Sequence, residues 1–147
     1  MTAGTVNGER GLQALAPFTV YRSPFTVSRC ILGAMPDSLQ DFDAFRSRMN
    51  ELILGAGNLT INRFFALDQR AYEPGALGTR TKEMLGLVSS LVLRCDDCVT
   101  YHVARCHEEG VTREEFLEIF SVGLVVGGSI VIPHLRRAMA RLEELSG

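Results

Sequence analysis

From Asp37 onward, apolar residues recur every three or four positions, and this spacing limits the possible folds more than any other feature of the chain. In DSLQDFDAFRSRMNELIL, the apolar positions near such a spacing are Leu39, Phe42, Phe45, Met49, Leu52 and Ile53. Asp37 or Ser38 is placed to cap this helix, and Gly55 is placed to end it. No segment has a convincing strand pattern. We therefore predict an all-α fold.

Two further helices follow along the chain. The segment INRFFALDQRAY predicts a short second helix that Pro74 and Gly75 stop. The segment TRTKEMLGLVSSLVLR predicts a third helix, for which Thr79 is a candidate N-cap. Because this third helix is apolar on nearly every side after Glu83, we expect it to be buried.

Three more helices complete the predicted fold. The fourth begins near Cys95 and runs to about Glu109. The fifth, VTREEFLEIFSVGLVV, opens with Thr112 and Glu115, which are spaced as a capping box. The sixth is IPHLRRAMARLEEL. Residues 38–147 are therefore predicted to form one all-α domain of about six helices with short connections.

Residues 1–37 show no helical period and are rich in Gly, Pro, Ser and Thr. A four-residue motif, PFTV, begins at Pro17 and again at Pro24. Two copies of so short a motif are weak evidence for a repeat. We predict that residues 1–37 form an irregular N-terminal arm, either extended or disordered.

Composition and charge exclude several classes of function. With 147 residues, 46% of them hydrophobic, the chain has enough apolar material for one packed domain. Its net charge of −2 gives no polybasic footprint for nucleic acid or an anionic membrane. The N-terminus lacks a secretory pattern, and the apolar run from Ile119 to Pro133 is shorter than the ~20 residues of a spanning helix. We expect a cytoplasmic protein in which this run is a buried helix and an oligomer contact.

The segment RCDDCVTYH places two cysteines and a histidine on the fourth helix. At about 100° per residue, one stripe of that helix carries Cys95, Cys98, His102 and Cys106. Cys98 and His102 are four residues apart, so their side chains can meet. Cys95 lies at the helix start, where free N–H groups favour an anion. In the cytoplasm a close cysteine pair is more often catalytic or metal-binding than structural.

These positions suit thiol chemistry. The thiolate is the nucleophile, and a helix N-terminus or a neighbouring histidine increases its population at neutral pH. Two thiols in a CxxC spacing can also close a disulfide and reopen it. Asp96 and Asp97 act in the opposite direction, because nearby negative charge raises a thiol pKa. Their ordinary role is to stabilise the first turn of the helix.

Glu83 precedes Cys95 by twelve residues and lies on a helix that is otherwise largely apolar. Gly86, Ser89 and Ser90 on that helix are small enough to let a neighbouring element approach closely. A carboxyl group buried in such a site is suited to proton transfer. The alternative is that Glu83 only complements the dipole of its own helix. Periodicity alone leaves both roles open.

The run KEMLGLVSSLVLRCDDCVTYH resembles the active-site signature of the AhpD-like alkylhydroperoxidases, a group within the carboxymuconolactone decarboxylase family. That signature is a glutamate, a cysteine twelve positions later, a second cysteine after three more and a histidine after a further four. Glu83, Cys95, Cys98 and His102 match it at every spacing. The resemblance extends over about residues 75–145 and includes EEGVTREEF and VVGGS.

The resemblance implies an AhpD-like all-α domain that assembles by helix packing, commonly as trimers or hexamers. It implies that Cys95 and Cys98 reduce a hydroperoxide or exchange disulfides, and that an external thiol restores them. Glu83 and His102 would serve as the proton relay. The implied enzyme is thus an antioxidant thiol oxidoreductase, and we expect no cofactor and no metal.

One position departs from the family pattern. Well-characterised peroxidases of the group carry a further histidine immediately before the second cysteine, where this chain has Asp97. That departure puts efficient peroxide reduction in question. Contact with His102 favours Cys98 as the attacking thiol, which leaves Cys95 to resolve the oxidised product. The helix-start position of Cys95 argues the reverse.

Three alternatives remain. The decarboxylase branch of the family acts on small lactone acids but generally lacks the cysteine pair. Zinc is the main chemical rival, and its candidate ligands are Cys95, Cys98, His102 and Cys106. Four donors on one straight helix cannot surround an ion without a second segment or chain. The third alternative is a catalytically silent helical oligomer.

The remaining cysteines and histidines are assigned other roles. Cys106 is predicted to be a small buried hydrophobe, and Cys30, in the N-terminal arm, to be incidental. His107 lies about 120° from the stripe and is predicted to be solvated. His134, in the first turn of the last helix, is predicted to serve in packing.

Overall fold

The computed structural model describes residues 38–147, which fold into six α-helices without a strand. The helices are α1 (Leu39–Gly55), α2 (Leu59–Ala71), α3 (Thr79–Leu93), α4 (Asp96–Glu108), α5 (Arg113–Gly127) and α6 (Ile132–Ser146). A turn of 3-10 helix, Ser129–Val131, joins α5 to α6. The all-α prediction is confirmed, whereas the predicted arm at residues 1–37 lies outside the described residues.

Helix boundaries follow the capping residues that the sequence offers. The Ser38 hydroxyl accepts a backbone hydrogen bond at the start of α1, and Thr112 opens a complete capping box at the start of α5. The prediction that Thr79 caps α3 is wrong. The residue before the helix is Gly78, whose carbonyl accepts the first helical hydrogen bond, from the Lys82 N–H (3.2 Å). Thr79 is therefore already helical.

The hydrophobic core lies among α3, α4, α5 and α6. Its buried side chains include Leu87, Leu91, Val99, Val103, Phe116, Phe120, Ala138 and Leu142. Burial of one such Leu or Phe side chain contributes roughly 1.5–3 kcal/mol. Within this core α3 packs on α4 and α5, and α4 packs on α6. The core therefore fixes the relative position of the two helices that carry the glutamate, cysteine and histidine motif.

A tight corner joins α3 to α4. Arg94 ends α3 in the left-handed conformation (φ 61°), which is uncommon for a residue that has a Cβ atom. The backbone N–H of Cys95 then donates to the carbonyl of Ser90 (3.1 Å). Because the chain turns back here, α3 and α4 lie side by side, and Glu83 of α3 reaches His102 of α4.

Apolar side chains also remain outside the core. The prediction that α3 is buried on nearly every side is wrong, since Leu85 and Leu93 are 51% and 75% exposed. On α5, Val125 is 86% exposed, and α2 has no buried residue at all. Helices α3 and α5 use one face for the core, so their opposite apolar faces are left without a partner among residues 38–147.

The apolar run from Ile119 to Pro133 is divided between the end of α5, the 3-10 turn and the start of α6. Gly128 separates the two helices, with a positive φ of 73°. No helix within residues 38–147 has the length and apolar character that crossing a membrane requires.

Candidate active site

Cys95 and Cys98 form a disulfide at the start of α4. Their Cα atoms are 5.2 Å apart, as disulfide geometry requires. Cys95 is the N-cap of the helix, and its Sγ atom accepts a hydrogen bond from the backbone N–H of Cys98 (3.3 Å). Cys98 is exposed, whereas Cys95 is partly buried. A CxxC spacing across a helix start thus brings the two sulfurs together and leaves the second one more accessible.

Glu83 and His102 form a buried pair between α3 and α4. The Nδ1 atom of His102 lies 2.7 Å from Oε2 of Glu83. Glu83 is 1% exposed and His102 is 7% exposed. Polar groups buried this deeply are stable only when they are paired, so each of these side chains holds the other in place. Of the two roles that the sequence left open for Glu83, the geometry supports a contact with the motif histidine.

Gly86 makes room for the imidazole of His102. A Cβ atom at position 86 would lie 2.5 Å from Cε1 and 2.7 Å from Nε2 of His102. Both separations are far shorter than the 3.5–4.0 Å at which non-bonded heavy atoms are stable. The expectation that a small residue on α3 admits a close neighbour is therefore confirmed at Gly86.

Two further side chains contact the Glu83–His102 pair, and sequence reasoning missed both. The Tyr72 hydroxyl, at the end of α2, lies 3.4 Å from Nε2 of His102. The Arg105 Nε atom lies 3.5 Å from Oε1 of Glu83. Arg105 follows His102 by three residues on one helix face, which is a signal that the sequence does contain. Nothing in the sequence links Tyr72 to a histidine thirty positions later.

The hydrogen bonds define which nitrogen of neutral His102 carries the proton. Because the Glu83 carboxylate is an acceptor, Nδ1 carries the hydrogen and Nε2 accepts from the Tyr72 hydroxyl. Burial, with the negative charge of Glu83 as a second cause, raises the pKa of Tyr72. Tyr72 therefore keeps its proton at neutral pH and remains a donor to the imidazole.

A cavity of about 360 Å³ lies between α1, α2 and α4. Its apolar wall includes Phe42, Phe45 and Met49, and both Cys98 and His102 line it. Cavities of roughly 300–1,000 Å³ accommodate small organic ligands. The cavity therefore gives a small molecule access to one sulfur of the disulfide and to the buried histidine together.

The two aspartates between the cysteines have different surroundings. Asp96 accepts hydrogen bonds from Nδ1 of His134 (2.6 Å) and from Nη1 of Arg137 (2.7 Å), both on α6. Asp97 is exposed and lines the cavity together with Cys98. The prediction that His134 serves only in packing is wrong, because the packing of α6 on α4 brings its imidazole to a carboxylate.

Cys106 lies inside the hydrophobic core, as predicted, and has no exposed surface. Burial, with the negative charge of Glu83 as the next cause, raises the pKa of its thiol to about 12. Cys106 therefore stays protonated and unreactive at neutral pH. His107, one residue further on, is exposed, also as predicted.

The four candidate zinc ligands do not converge on a common point. Within residues 38–147, no group of three or more His, Cys, Asp or Glu side chains is arranged to hold a metal ion. Cys95 and Cys98 are joined to each other, and Cys106 is enclosed by apolar side chains. In this fold the sulfurs of Cys95 and Cys98 are therefore bonded to each other and are not placed to bind an ion together with Cys106.

Comparison with known proteins places the chain among related sequences. The model of the carboxymuconolactone decarboxylase family matches residues 60–141. A Paracoccus denitrificans protein, called uncharacterized protein 4 in cox locus, is 30% identical over 92 residues, which are 63% of this chain and 83% of that protein. An uncharacterized protein from Cupriavidus necator is 24% identical over 86 residues, which are 58% of this chain and 76% of that protein.

Solved structures share the fold. Two crystal structures of a Thermotoga maritima protein are 54% identical to this chain, with TM-scores of 0.71 and 0.69. They cover 73% and 71% of this chain, and 94% and 89% of the T. maritima chains. That protein is described as a carboxymuconolactone decarboxylase family protein thought to be involved in antioxidative response. A family member from Legionella pneumophila is 29% identical, with a TM-score of 0.56 over 74% of this chain and 89% of its own.

Proposed function

The chain belongs to the carboxymuconolactone decarboxylase family, and we propose that it is a thiol-dependent peroxidase or disulfide reductase with an antioxidant role. The observation that carries the proposal is the Cys95–Cys98 disulfide, which lies at a cavity shared with His102. The buried Glu83 beside His102 adds a group suited to proton transfer. The antioxidative role considered for the T. maritima protein supports the same chemistry.

The oxidative step begins at Cys98 in the reduced protein. Cys98 is exposed and lines the cavity, and Cys95 is not among the cavity-lining residues. The Cys98 thiolate attacks the terminal oxygen of a hydroperoxide, the O–O bond breaks, and an alkoxide leaves. Cys98 becomes a sulfenic acid, and the alkoxide takes up a proton and departs as an alcohol. The Cys98 sulfur loses two electrons in this step, and the peroxide gains them.

Cys95 then closes the disulfide and an external thiol reopens it. The Cys95 sulfur attacks the Cys98 sulfenic acid, and water is released. An external thiolate attacks the disulfide, and a second thiolate releases the mixed disulfide so formed. This second half alone is disulfide exchange, which is why the proposal includes both activities. Because the cycle needs a pool of reducing thiols, the proposal places the protein in the cytoplasm.

His102 and Glu83 act as the proton relay in this proposal. His102 and Tyr72 line the cavity with Cys98, so the thiol proton reaches Nε2 of His102 through the Tyr72 hydroxyl bonded to it and returns to the leaving alkoxide by the same route. The carboxylate of Glu83 stabilises the imidazolium that forms in between. Tyr72 and Arg105 orient the two groups from either side.

The proposal predicts that one equivalent of an organic hydroperoxide oxidises the reduced protein at a single pair of residues. Peptide mass mapping after alkylation should then show Cys95 and Cys98 linked, with a loss of two hydrogens between them. Cys106 is the internal control, since its burial and its thiol pKa of about 12 should keep it unalkylated until the protein is unfolded. Cysteines that stay fully alkylatable after peroxide would refute the proposal.

We further propose that the protein works as a homo-oligomer, with a second copy covering the apolar faces that the fold leaves open. A shallow groove between α3 and α5 is lined mainly by apolar residues, among them Val92, Leu93, Val122 and Val126. Next to it, Val125 is 86% exposed. Contiguous apolar surface of this kind marks a protein interface in a soluble protein. The resemblance to AhpD-like proteins favours a trimer or a hexamer.

Light scattering is expected to give a native mass of three or six times the 16.2 kDa chain. Val126→Asp should reduce that mass to the single chain, because a carboxylate in a closed apolar interface is strongly disfavoured. His107→Asp, which adds the same charge at an exposed position of α4 outside the groove, is the matched control and should leave the mass unchanged. A parent protein of 16.2 kDa in solution would contradict the oligomer.

A further inference from the structure

Asp96 directly follows Cys95 in the chain, yet its carboxylate is directed to another helix. Its Oδ1 atom accepts from His134 and its Oδ2 atom accepts from Arg137, at 2.6 and 2.7 Å. The side chains of Asp96 and His134 are only 19% and 17% exposed. Interactions between partly buried charges are screened less by salt than interactions at an open surface. Both oxygens of this carboxylate are therefore matched by donors from α6.

This pairing bears on the charge around Cys95. Cys95 is the N-cap of α4, where the helix N-terminus stabilises a thiolate, and the Cys98 N–H already points to its sulfur. An unpaired carboxylate one residue away would oppose that effect. Arg137 offsets the charge of Asp96, and His134 adds a second donor. The other charged residues next to the pair along the chain are Arg94 and Asp97.

We propose that His134 and Arg137 are positioning residues that tie Asp96 at the start of α4 to α6 and offset its charge, so that Cys95 leaves as a thiolate more readily than it would beside an unpaired carboxylate. The inference rests on the proposed function, because it concerns the reductive half of that cycle. His134 and Arg137 act through Asp96, not on the substrate.

Reduction begins at the exposed sulfur of the disulfide. A thiolate of the external reductant attacks the exposed Cys98 sulfur and forms a mixed disulfide with it. The Cys95–Cys98 bond breaks, and its electron pair stays on the Cys95 sulfur as a thiolate. A thiolate that is better stabilised leaves faster. The pairing of Asp96 with α6 therefore favours release of the Cys95 thiolate while the reductant stays bonded to Cys98.

The test measures thiolate formation at Cys95 in a protein that carries Cys98→Ser, so that Cys95 is the only thiol of the pair. The rate of alkylation by iodoacetamide at pH 7 is read at Cys95 by peptide mass. Arg137→Gln should slow it about threefold, and Asp96→Asn should speed it about threefold, because each changes the net charge beside the sulfur. Arg136→Gln, at an exposed position of the same helix, should match the parent.

The double variant gives the sharper result. Asp96→Asn combined with Arg137→Gln should react like Asp96→Asn alone, because Asp96 is what holds the exposed Arg137 side chain near Cys95 and a released guanidinium is solvated. Arg137→Lys, which keeps the charge, should stay near the parent rate. The inference is overturned when Arg137→Gln and Arg136→Gln both react at the parent rate, or when Arg137→Gln slows alkylation equally with and without Asp96.

Two further readouts distinguish loss of folding and loss of peroxidase activity from an effect on the Cys95 thiolate. Helical circular dichroism reports whether each variant folds, and a misfolded Arg137→Gln leaves Asp96→Asn to decide, since an unchanged rate there also overturns the inference. No peroxide is used at any point. A parent that closes its disulfide but fails to reduce peroxide contradicts the peroxidase proposal, while these rates still decide the role of the pairing of Asp96 with α6.

Discussion

Replacing Cys98 with serine is expected to lower hydroperoxide turnover by about 10³-fold or more, because the proposed cycle then lacks its nucleophile. Among residues 38–147, Cys98 is the one cysteine that lines the cavity. Cys95→Ser should behave differently. One equivalent of peroxide should still oxidise Cys98, but the sulfenic acid then has no partner and should persist. Dimedone trapping followed by peptide mass distinguishes the two variants.

The matched control for both serine variants is Cys106→Ala on the same helix. Cys106 is fully buried in the core, so we expect its loss to reduce stability and to leave turnover within about twofold of the parent. Full turnover in both Cys95→Ser and Cys98→Ser would exclude the proposed cycle. A dimedone adduct on Cys95 in the Cys98→Ser variant would instead exchange the roles of the two sulfurs.

Gly86→Ala is expected to lower turnover by about 10²-fold, although residue 86 carries no chemical group. The new Cβ atom would lie 2.5 Å from the ring of His102, so the imidazole must shift. Because His102 is buried against Glu83 at 2.7 Å, a shift breaks that contact. A misplacement of about 1 Å in a proton-transfer group costs about 10²-fold in rate. Overpacking should also destabilise the fold by about 1–3 kcal/mol.

Two variants show whether the clash with His102 is the cause. Gly123→Ala is the matched control, since a Cβ atom there would meet Leu91 at an ordinary 3.4 Å. It should leave turnover unchanged and raise stability slightly, because alanine suits a helix interior better than glycine. In a His102→Ala background, Gly86→Ala should cost no further stability, because the ring that its Cβ atom would meet is gone, and turnover should stay lost. Parent-like peroxide turnover in Gly86→Ala would remove His102 from the proposed relay.

Much of the fold could be predicted because its signals are local. Helix type follows from apolar spacing, and the capping residues Ser38 and Thr112 are recognisable without any partner. The burial of α3 was overestimated because an apolar helix face predicts contact without saying with what. In this chain, Leu85 and Leu93 face away from the core. Sequence patterns cannot separate the interior of one chain from an interface between copies.

The contacts of the candidate site also differ in whether the sequence could predict them. The contact between Glu83 and His102 was accessible because both residues belong to a spaced motif. Tyr72 and His134 were not, because each reaches its partner only after distant helices have packed. Two adjacent aspartates look equivalent in sequence, and only the packing of α6 on α4 gives one of them a cationic partner. Pairing between helices that no motif links is a property of tertiary structure, and local patterns do not predict it.

Because α3 and α4 meet at the corner at Arg94, the position of each motif residue depends on its number of residues from that corner. Both helices are rigid rods that start from this one bend, so each functional side chain is located by its number of turns from it. One residue inserted between Glu83 and Arg94 would rotate Glu83 by about 100° and carry it out of the interior. Most substitutions elsewhere and most changes in loop length would leave the arrangement intact. A slip of a single position across this bend would dismantle it.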